Sequence, residues 1–208
     1  MSGLSLIETL RWEPETGFLR LPLHLARLEN SAQQLGIPGA EQAQAALEKS
    51  AGGTAALRVR LELFADGRID VVTAPFTALP EDTVWRVAIA SVRLSSHDPL
   101  LRHKTSRRGI YEAARDEFPR DEVDEVFLMN ERDELCEGTI TSLFVSAGGN
   151  CLATPPLSCG LLAGVLRTQL ICQKKTGIRR LTLPDIMGHD LFAGNSLRGL
   201  IRCSLVQP

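Results

Sequence analysis

The sequence has no hydrophobic run long enough to cross a membrane, because its longest apolar stretches fall far below the roughly 18 residues that a span requires. It also has no excess of basic residues: 23 Lys and Arg stand against 25 Asp and Glu. This balance argues against a nucleic-acid partner. The first residues lack the charged segment followed by an apolar segment that is typical of a signal peptide, so we expect none.

Cysteine and histidine are few and scattered. The five cysteines are an odd number and contain no CxxC pair, which argues against a disulfide framework and against a zinc site. The four histidines are too far apart in sequence to indicate a metal cluster. Reduced thiols in the cytoplasm are therefore expected, with no bound metal.

The remaining composition is that of an ordinary folded protein, with 44% hydrophobic residues in a chain of 208, enough for a sizeable core. Apolar residues alternate in some segments and recur at helical spacing in others, without a clean strand–helix–strand repeat. We predict a mixed α/β (α+β) chain in two small domains, residues 1–94 and 95–208. Strands are predicted at 4–12, 18–21, 56–64, 68–74, 84–92, 124–130, 139–146 and within 191–206. Hairpins are expected to join 4–12 to 18–21 and 56–64 to 68–74, and residues 131–138 are expected to form a connector. Helices are predicted at 22–36, 39–50, 104–117, 165–177 and 183–190.

A basic cluster marks the start of the predicted helix 104–117. Arg102, His103, Lys104, Arg107 and Arg108 fall within seven residues of a chain whose net charge is −2. Nearby cations lower the pKa of a lysine and so favour a nucleophilic amine. On a helix, Lys104 would share a face with Arg107 or Arg108 and with Tyr111. The alternative is a solvated basic turn.

Three further stretches carry polar groups beside apolar segments. In LCEGTITSLFV, Glu137 precedes a predicted core strand, although a surface glutamate in a turn explains it equally well. In CGLLAGVLR, the free backbone N–H groups of Gly164, Val165 and Leu166 at a helix start suit an anion such as phosphate, or ordinary packing. In FAGNSLRGL, Asn195 and Ser196 are polar groups that need partners if buried.

Taken in order, these stretches resemble the class IV (fold type IV) aminotransferase family of pyridoxal-phosphate enzymes. HLARLENSAQQLG resembles the family's phosphate-arginine helix, and HKTSRR resembles its Schiff-base lysine segment. NERDELCEGTITSLFV is similar to the segment with the glutamate for the pyridine nitrogen, and GLLAGVLR to the phosphate-binding turn. The resemblance covers nearly the whole chain. The chain departs from the family pattern in two places. Its N-terminal part is shorter than in most members, so the first domain is either trimmed or completed by a partner. Gly109 also stands where many members have a tyrosine, and Tyr111 is the residue that we expect to replace that tyrosine.

The resemblance implies a role for each of these residues. Lys104 would hold the cofactor covalently and then act as the base, and Glu137 would keep the pyridine nitrogen protonated. Leu162 would lie against the ring. The phosphate ligands would be Arg27, the N–H groups of Val165 and Leu166, and Asn195 or Ser196.

Within the family, LIETLRW, HLARL, HKTSRRGIYEAA, TPPLSCGLL and NSLRGL look most like the members that act as 4-amino-4-deoxychorismate lyases. This likeness implies release of pyruvate and 4-aminobenzoate, with Thr9 near the departing oxygen, although Thr9 is equally compatible with a strand residue of no chemical duty. Substrate carboxylates would be bound by an arginine from the group Arg58, Arg60, Arg107 and Arg108. The alternatives are an aminotransferase for branched-chain or D-amino acids and a non-catalytic relative that binds a phosphorylated ligand. A homodimer and an aminodeoxychorismate synthase partner are also implied.

Overall fold

The chain divides into two units along a boundary that differs from the predicted one. The computed structural model describes residues 3–149 and 151–206. Unit 1 is the chain up to Ala78 together with His103–Arg107, and unit 2 is Leu79–Arg102 together with the chain from Arg108 onward. The sequence-based division between residues 94 and 95 therefore assigns 79–94 to the first domain, whereas those residues form part of unit 2.

Unit 1 contains a four-stranded antiparallel sheet. Its strands are β1 (Ser5–Glu13), β2 (Gly17–Phe18), β3 (Leu57–Phe64) and β4 (Ile69–Pro75), in the order β2-β1-β3-β4. Alternation of apolar and polar residues along β3 gives the sheet one buried face. The predicted opening hairpin and the predicted hairpin of strands 56–64 and 68–74 are both confirmed.

Two helices cover that buried face. They are α1 (Leu21–Leu35) and α2 (Ala43–Ser50), and they confirm the predicted helices at 22–36 and 39–50. Pro22 lies in the first turn of α1, where its missing N–H costs nothing, and Gly36 ends the helix with a left-handed φ of 67°. The core between helices and sheet contains Leu6, Leu10, Leu28, Ala32, Leu47, Val59, Leu61 and Leu63.

The Lys104 segment is extended rather than helical. The Ile7 N–H donates to the carbonyl of Lys104 at 2.8 Å, and the Ser106 N–H donates to the carbonyl of Ser5 at 3.0 Å. Leu6 and Thr105 form an antiparallel bridge between these bonds. The backbone groups that a helix would use are thus bonded to β1. The expectation that Lys104 and Tyr111 share a helix face is therefore wrong.

Unit 2 is built on a larger sheet with an unusual closure. Its strands run in the order β10-β9-β8-β11-β12-β5-β6-β7, and β7 also pairs with β8, so six of them form a closed ring. The strands are β5 (Val84–Leu94), β6 (Glu125–Asn130), β7 (Leu135–Gly138), β8 (Ser142–Ser146), β9 (Leu152–Thr154), β10 (Thr176–Ile178), β11 (Leu191–Asn195) and β12 (Gly199–Leu205).

The helices of unit 2 are shorter than the sequence pattern suggests. They are α3 (Gly109–Asp116), α4 (Val165–Cys172) and α5 (Leu183–Ile186). The predicted helix 165–177 ends early because residues 176–178 pair in parallel with β9. The predicted strand 139–146 begins only at Ser142. Residues 135–138, predicted as part of a connector, form β7.

The predicted mixed α/β fold class is confirmed by this arrangement of sheets and helices. In the described residues, none of the helices has the length and apolarity needed for a membrane span. The same residues contain no group of three or more His, Cys, Asp or Glu side chains placed to hold a metal ion.

Candidate active site

Glu137 is a buried carboxylate at the centre of unit 2. It lies on β7, where every residue is buried, and is 5% exposed. The Tyr111 hydroxyl donates to its Oε1 at 2.7 Å, and the Leu162 N–H donates to its Oε2 at 3.2 Å. Both donors are neutral, so neither removes the charge of the carboxylate. The alternative of a surface glutamate in a turn is therefore excluded.

Tyr111 is held in place by a second contact. The Arg108 guanidinium lies over its ring, 4.9 Å from the centroid, and donates to the carbonyl of Thr139. Burial, together with the charge of Glu137, raises the pKa of the Tyr111 phenol. Tyr111 is thus a neutral donor to Glu137 at neutral pH.

The N-terminus of α4 adjoins Glu137 through β8. The first N–H groups of a helix have no acceptor within it and carry a partial positive charge, so those of Val165 and Leu166 suit an anion. Gly164 comes directly before the helix, and a Cβ there would overlap Ser142 Oγ. Since Ser142 is the strand partner of Glu137, the helix start and the carboxylate lie in one neighbourhood.

Asn195 is the last residue of β11, and Ser196 begins the turn to β12. The Asn195 amide donates to the carbonyl of Ile140 at 3.2 Å, and its Oδ1 accepts the N–H groups of Leu197 and Arg198 at 3.1 and 2.9 Å. Asn195 thus shapes the turn with both ends of its amide. Ser196, the next residue, is buried.

A buried carboxylate that sequence reasoning missed fixes the loop after Glu137. Glu125 is 1% exposed and accepts hydrogen bonds from the Thr139 and Thr141 hydroxyls, at 2.5 and 2.8 Å, and from the Ile140 N–H at 3.2 Å. These bonds bend residues 139–141 away from the strand geometry predicted for them. The signal was the pair of acidic residues that opens the segment DEVFLMN, since a charge in a core strand needs partners.

In unit 1, Arg27 is paired with a carboxylate that the sequence analysis also missed. Its Nε and Nη2 donate to Glu8 Oε1 and Oε2 at 2.8 and 2.6 Å. His24 Nδ1 lies 2.5 Å from Glu8 Oε2. Burial alone would raise the pKa of Glu8, but Arg27 and His24 outweigh it and hold that pKa at about 2. An ionised carboxylate only accepts, so His24 donates from Nδ1.

The remaining candidates of unit 1 lie on and beside the sheet. The antiparallel register puts Lys104 opposite Ile7, two residues before Thr9, so Lys104 and Thr9 project from the same face. Thr9 is the cross-strand partner of Arg60. Alternation along β1 places Glu8, and with it Arg27, on the helix-covered face instead.

The candidate arginines differ in what they already bind. Arg60 donates to Glu62 Oε2 at 2.5 Å, whereas Arg58 is exposed on the same strand. Arg107 is exposed in unit 1, and Arg108 belongs to unit 2. Arg107 and Arg108 are adjacent in sequence but therefore belong to different units.

The described residues fit a phosphate-bearing pyridine. A buried carboxylate that accepts hydrogen bonds from Tyr111 and Leu162 suits a protonated ring nitrogen. The close approach of Gly164 to Ser142 leaves the helix start without a side chain, as backbone binding of a phosphate requires. These features are compatible with a cofactor of the pyridoxal-phosphate type.

Comparison with known proteins identifies the family. The model of the family described as amino-transferase class IV matches residues 5–206, so the chain belongs to the class IV aminotransferases. Pyridoxal 5′-phosphate is the cofactor of this family, and the fold is fold type IV. No curated protein sequence matches the chain.

Solved structures give the same fold. A protein from Mesorhizobium loti with the provisional name amino-acid aminotransferase is 45% identical, with a TM-score of 0.90 over 98% of this chain and 100% of that one. The 4-amino-4-deoxychorismate lyase from Pseudomonas aeruginosa is 22% identical, with a TM-score of 0.81 over 97% and 82% of the two chains. A branched-chain amino acid aminotransferase from Thermobaculum terrenum, in its PLP form, is 18% identical, with a TM-score of 0.80 over 97% and 76%.

Proposed function

We propose that this class IV enzyme is a pyridoxal-phosphate-dependent lyase that converts 4-amino-4-deoxychorismate to 4-aminobenzoate and pyruvate. The observation that carries the proposal is the shared sheet face of Lys104 and Thr9. A lyase of this type must remove a proton and then expel an oxygen, so a base and a hydroxyl near each other match the two tasks.

Each group at the cofactor has a distinct task in this reaction. Bound pyridoxal phosphate would supply a ring that accepts electrons from the substrate carbon. Lys104 would attach the cofactor and, once displaced by the substrate amine, would take the α-proton on Nζ. Glu137 would hold a proton on the ring nitrogen, and Leu162 would lie against the ring. The phosphate would be bound by the N–H groups of Val165 and Leu166, by Ser196 or Asn195, and by Arg27 through donors other than the Nε and Nη2 that bind Glu8.

Thr9 and the arginines would act on the substrate. The Thr9 hydroxyl would donate to the enolpyruvyl oxygen as it leaves, which stabilises the developing negative charge. Exposed Arg58 is the candidate of unit 1 best able to pair with a substrate carboxylate, because Arg60 is bound to Glu62. Arg107 and Arg108 are the other candidates for that contact.

The decisive experiment incubates the purified holoenzyme with enzymatically made 4-amino-4-deoxychorismate and measures 4-aminobenzoate and pyruvate. We expect equal amounts of both products. Thr9→Ala is expected to lose elimination while it retains the half-reaction with amino acids, and Thr9→Ser is the matched control. Equal rates of elimination in the wild type and Thr9→Ala would remove Thr9 from the mechanism.

An aminotransferase is the second candidate, and the observation that favours it is the 45% identity to the Mesorhizobium loti protein. A panel of branched-chain and D-amino acids with 2-oxo acids separates the two activities.

The remaining alternative, a non-catalytic relative, is tested by cofactor binding rather than by activity. Borohydride treatment should fix the cofactor to Lys104, and a colourless protein that cannot be reconstituted would favour the binding role.

We further expect a cytoplasmic homodimer that works beside an aminodeoxychorismate synthase. This expectation follows from the family likeness of the proposed lyase. Light scattering of the purified protein tests the dimer, and co-purification with a synthase tests the partner.

A further inference from the structure

Residues 139–141, the loop between β7 and β8, are bonded to one buried side chain. Glu125 Oε1 accepts the N–H and the hydroxyl of Thr139 at 3.1 and 2.5 Å. Its Oε2 accepts the Ile140 N–H at 3.2 Å and the Thr141 hydroxyl at 2.8 Å. Both carboxylate oxygens act only as acceptors in these contacts, so the bent backbone of the loop is matched to a carboxylate at this position.

The turn that contains this loop has little spare room. A Cβ at Gly138 would lie 2.4 Å from Thr141 Oγ1 and 2.9 Å from Glu125 Oε2. The Gly138 N–H donates to the carbonyl of Thr141 at 2.8 Å, which closes the turn. Because position 138 carries no side chain, the carboxylate of Glu125 reaches into the turn directly after Glu137.

One carbonyl of the loop leads to the ring-nitrogen side of the candidate site. The Thr139 carbonyl accepts a hydrogen bond from Arg108 Nη2. The same guanidinium lies over the Tyr111 ring, and the Tyr111 hydroxyl donates to Glu137 at 2.7 Å. The position of the loop therefore bears on the position of a donor to Glu137.

The next carbonyl leads to the proposed phosphate side. The Ile140 carbonyl accepts the Asn195 amide at 3.2 Å. Through its Oδ1, Asn195 also binds two N–H groups of the turn that contains Ser196. Consecutive carbonyls of a single loop are thus bonded to the two sides of the candidate site.

We propose that Glu125 is a positioning residue of the cofactor site, which holds residues 139–141 so that Tyr111 and the Asn195 turn are in place before the cofactor binds. The contacts of Glu125 do not depend on the reaction. Their purpose rests on the proposed binding of the cofactor by Glu137, Asn195 and Ser196.

The first test uses the full chain without cofactor and observes Tyr111. It is the single tyrosine of the sequence, so fluorotyrosine labelling gives one fluorine NMR resonance from this ring. In Glu125→Gln, an amide NH₂ replaces an oxygen that accepts from the loop, so a buried donor loses its acceptor and the loop changes conformation. We expect the resonance to move. An unchanged spectrum of the folded variant overturns the proposal.

Glu134→Gln is the matched control, because Glu134 is another buried glutamate of unit 2 with several hydrogen bonds. Its carboxylate accepts from Asn130, Arg132 and Arg180. We expect the Tyr111 resonance of Glu134→Gln to match that of the wild type. A movement as large as in Glu125→Gln would indicate general loosening of the unit and overturns the proposal.

A double variant tests the path through Arg108. In Arg108→Met, the Thr139 carbonyl no longer holds a guanidinium against Tyr111. Adding Glu125→Gln to this variant should move the resonance much less than adding it to the wild type does. Fully additive movements overturn the proposal.

Cofactor affinity provides a second readout. We expect Glu125→Gln to raise the Kd for pyridoxal phosphate by about tenfold, because fewer cofactor-free molecules have the loop in its binding conformation. A Kd equal to that of the wild type overturns the proposal.

Thr141→Val covers the case in which Glu125→Gln does not fold. It removes one hydroxyl bond to Glu125 and keeps the branched shape of the side chain. Thr154→Val, which removes a buried hydroxyl bonded to the carbonyl of Leu143, is its control. We expect Thr141→Val alone to move the Tyr111 resonance and to raise the Kd, by less than Glu125→Gln. No change in Thr141→Val overturns the proposal.

The positioning role and the lyase activity can fail separately. If the resonance and the Kd change as expected but the wild type forms no 4-aminobenzoate, the proposed function fails and the role of Glu125 stands. If the wild type forms 4-aminobenzoate and neither readout changes in Glu125→Gln, the proposed function stands and the role of Glu125 fails.

Discussion

The two units each bury a glutamate, and they treat it in opposite ways. In unit 1, Glu8 is bound on both oxygens by the Arg27 guanidinium, with His24 added to one of them. In unit 2, Glu137 accepts hydrogen bonds from two neutral groups, the Tyr111 hydroxyl and the Leu162 N–H. One carboxylate is paired with a guanidinium at contact distance, and the other is bound by a phenol and a backbone amide.

This difference separates a structural carboxylate from one suited to chemistry. A charge paired on both oxygens contributes to stability but has little left for a ligand, whereas a charge held by neutral groups still attracts a protonated nitrogen. We therefore expect substitutions at Glu8 to be felt mainly in folding and those at Glu137 mainly in activity.

Glu137→Gln is expected to have the largest effect. The amide keeps the size of the side chain but cannot stabilise a protonated ring nitrogen by charge, so kcat should fall by about 10² to 10⁴. Steady-state kinetics and urea unfolding of the same preparation provide the measurement. A large loss of stability without loss of kcat would reverse the comparison between the two glutamates.

Glu8→Gln should destabilise the protein by about 3 kcal/mol, because Arg27 and His24 lose their anion. The pKa of Glu8 is about 2 in the folded protein, below its ordinary value of 4.5, so its contribution is complete above pH 4.5 and is lost as the pH falls toward 2. Urea unfolding from pH 6 to pH 3 should show this loss in the wild type and a flatter profile in Glu8→Gln. Parallel profiles would contradict it. Glu62→Gln, on the same sheet but at a less buried site, is the control.

Gly164→Ala tests the close approach at the start of α4. The φ of Gly164 is −58°, which alanine adopts freely, so the effect comes from overlap of the new methyl with Ser142. We expect a loss of about 1–3 kcal/mol in stability and weaker binding of pyridoxal phosphate in a fluorescence titration. Combining Gly164→Ala with Ser142→Ala should restore most of the stability and most of the affinity for pyridoxal phosphate. If neither is restored, the overlap is not with Ser142.

Tyr111→Phe should have the smallest effect. It removes one neutral hydrogen bond to Glu137, worth about 1 kcal/mol, so kcat should fall several-fold at most. Because the pKa of Tyr111 is raised, its phenol stays protonated at alkaline pH, and the alkaline limb of the rate profile should be the same in both proteins. A limb that disappears in Tyr111→Phe would show that the phenol titrates.

The sequence predicted those elements whose pattern is local. The amphipathic helix 21–35, with Pro22 and Gly36 at its ends, and the alternating hairpin of β3 and β4 were found correctly. The extended Lys104 segment was not, because its hydrogen bonds go to residues 5–7, almost a hundred positions earlier. Likewise β7 lies between β6 and β8, so all of its residues are buried and no alternation marks it.

The candidate site was predictable only through the family likeness. No spacing rule connects Glu137 with Tyr111 or with the Leu162 N–H, since these meet through the fold of unit 2. Glu8, Glu125 and Arg167 did carry a signal, which was a charge at a position where the pattern demands a buried residue. Charged residues inside segments that are predicted to be buried should therefore be identified before motifs are searched for.

Because residues His103–Arg107 belong to unit 1, they affect how a fragment containing unit 1 can be designed. A fragment that stops at Ala78 would lack the stretch bonded to the start of β1 and would expose a free strand edge, which invites intermolecular pairing and insoluble material. A workable fragment needs those five residues returned through an engineered linker, or a circular permutation that carries them along. The lysine proposed to hold the cofactor thus also protects a sheet margin.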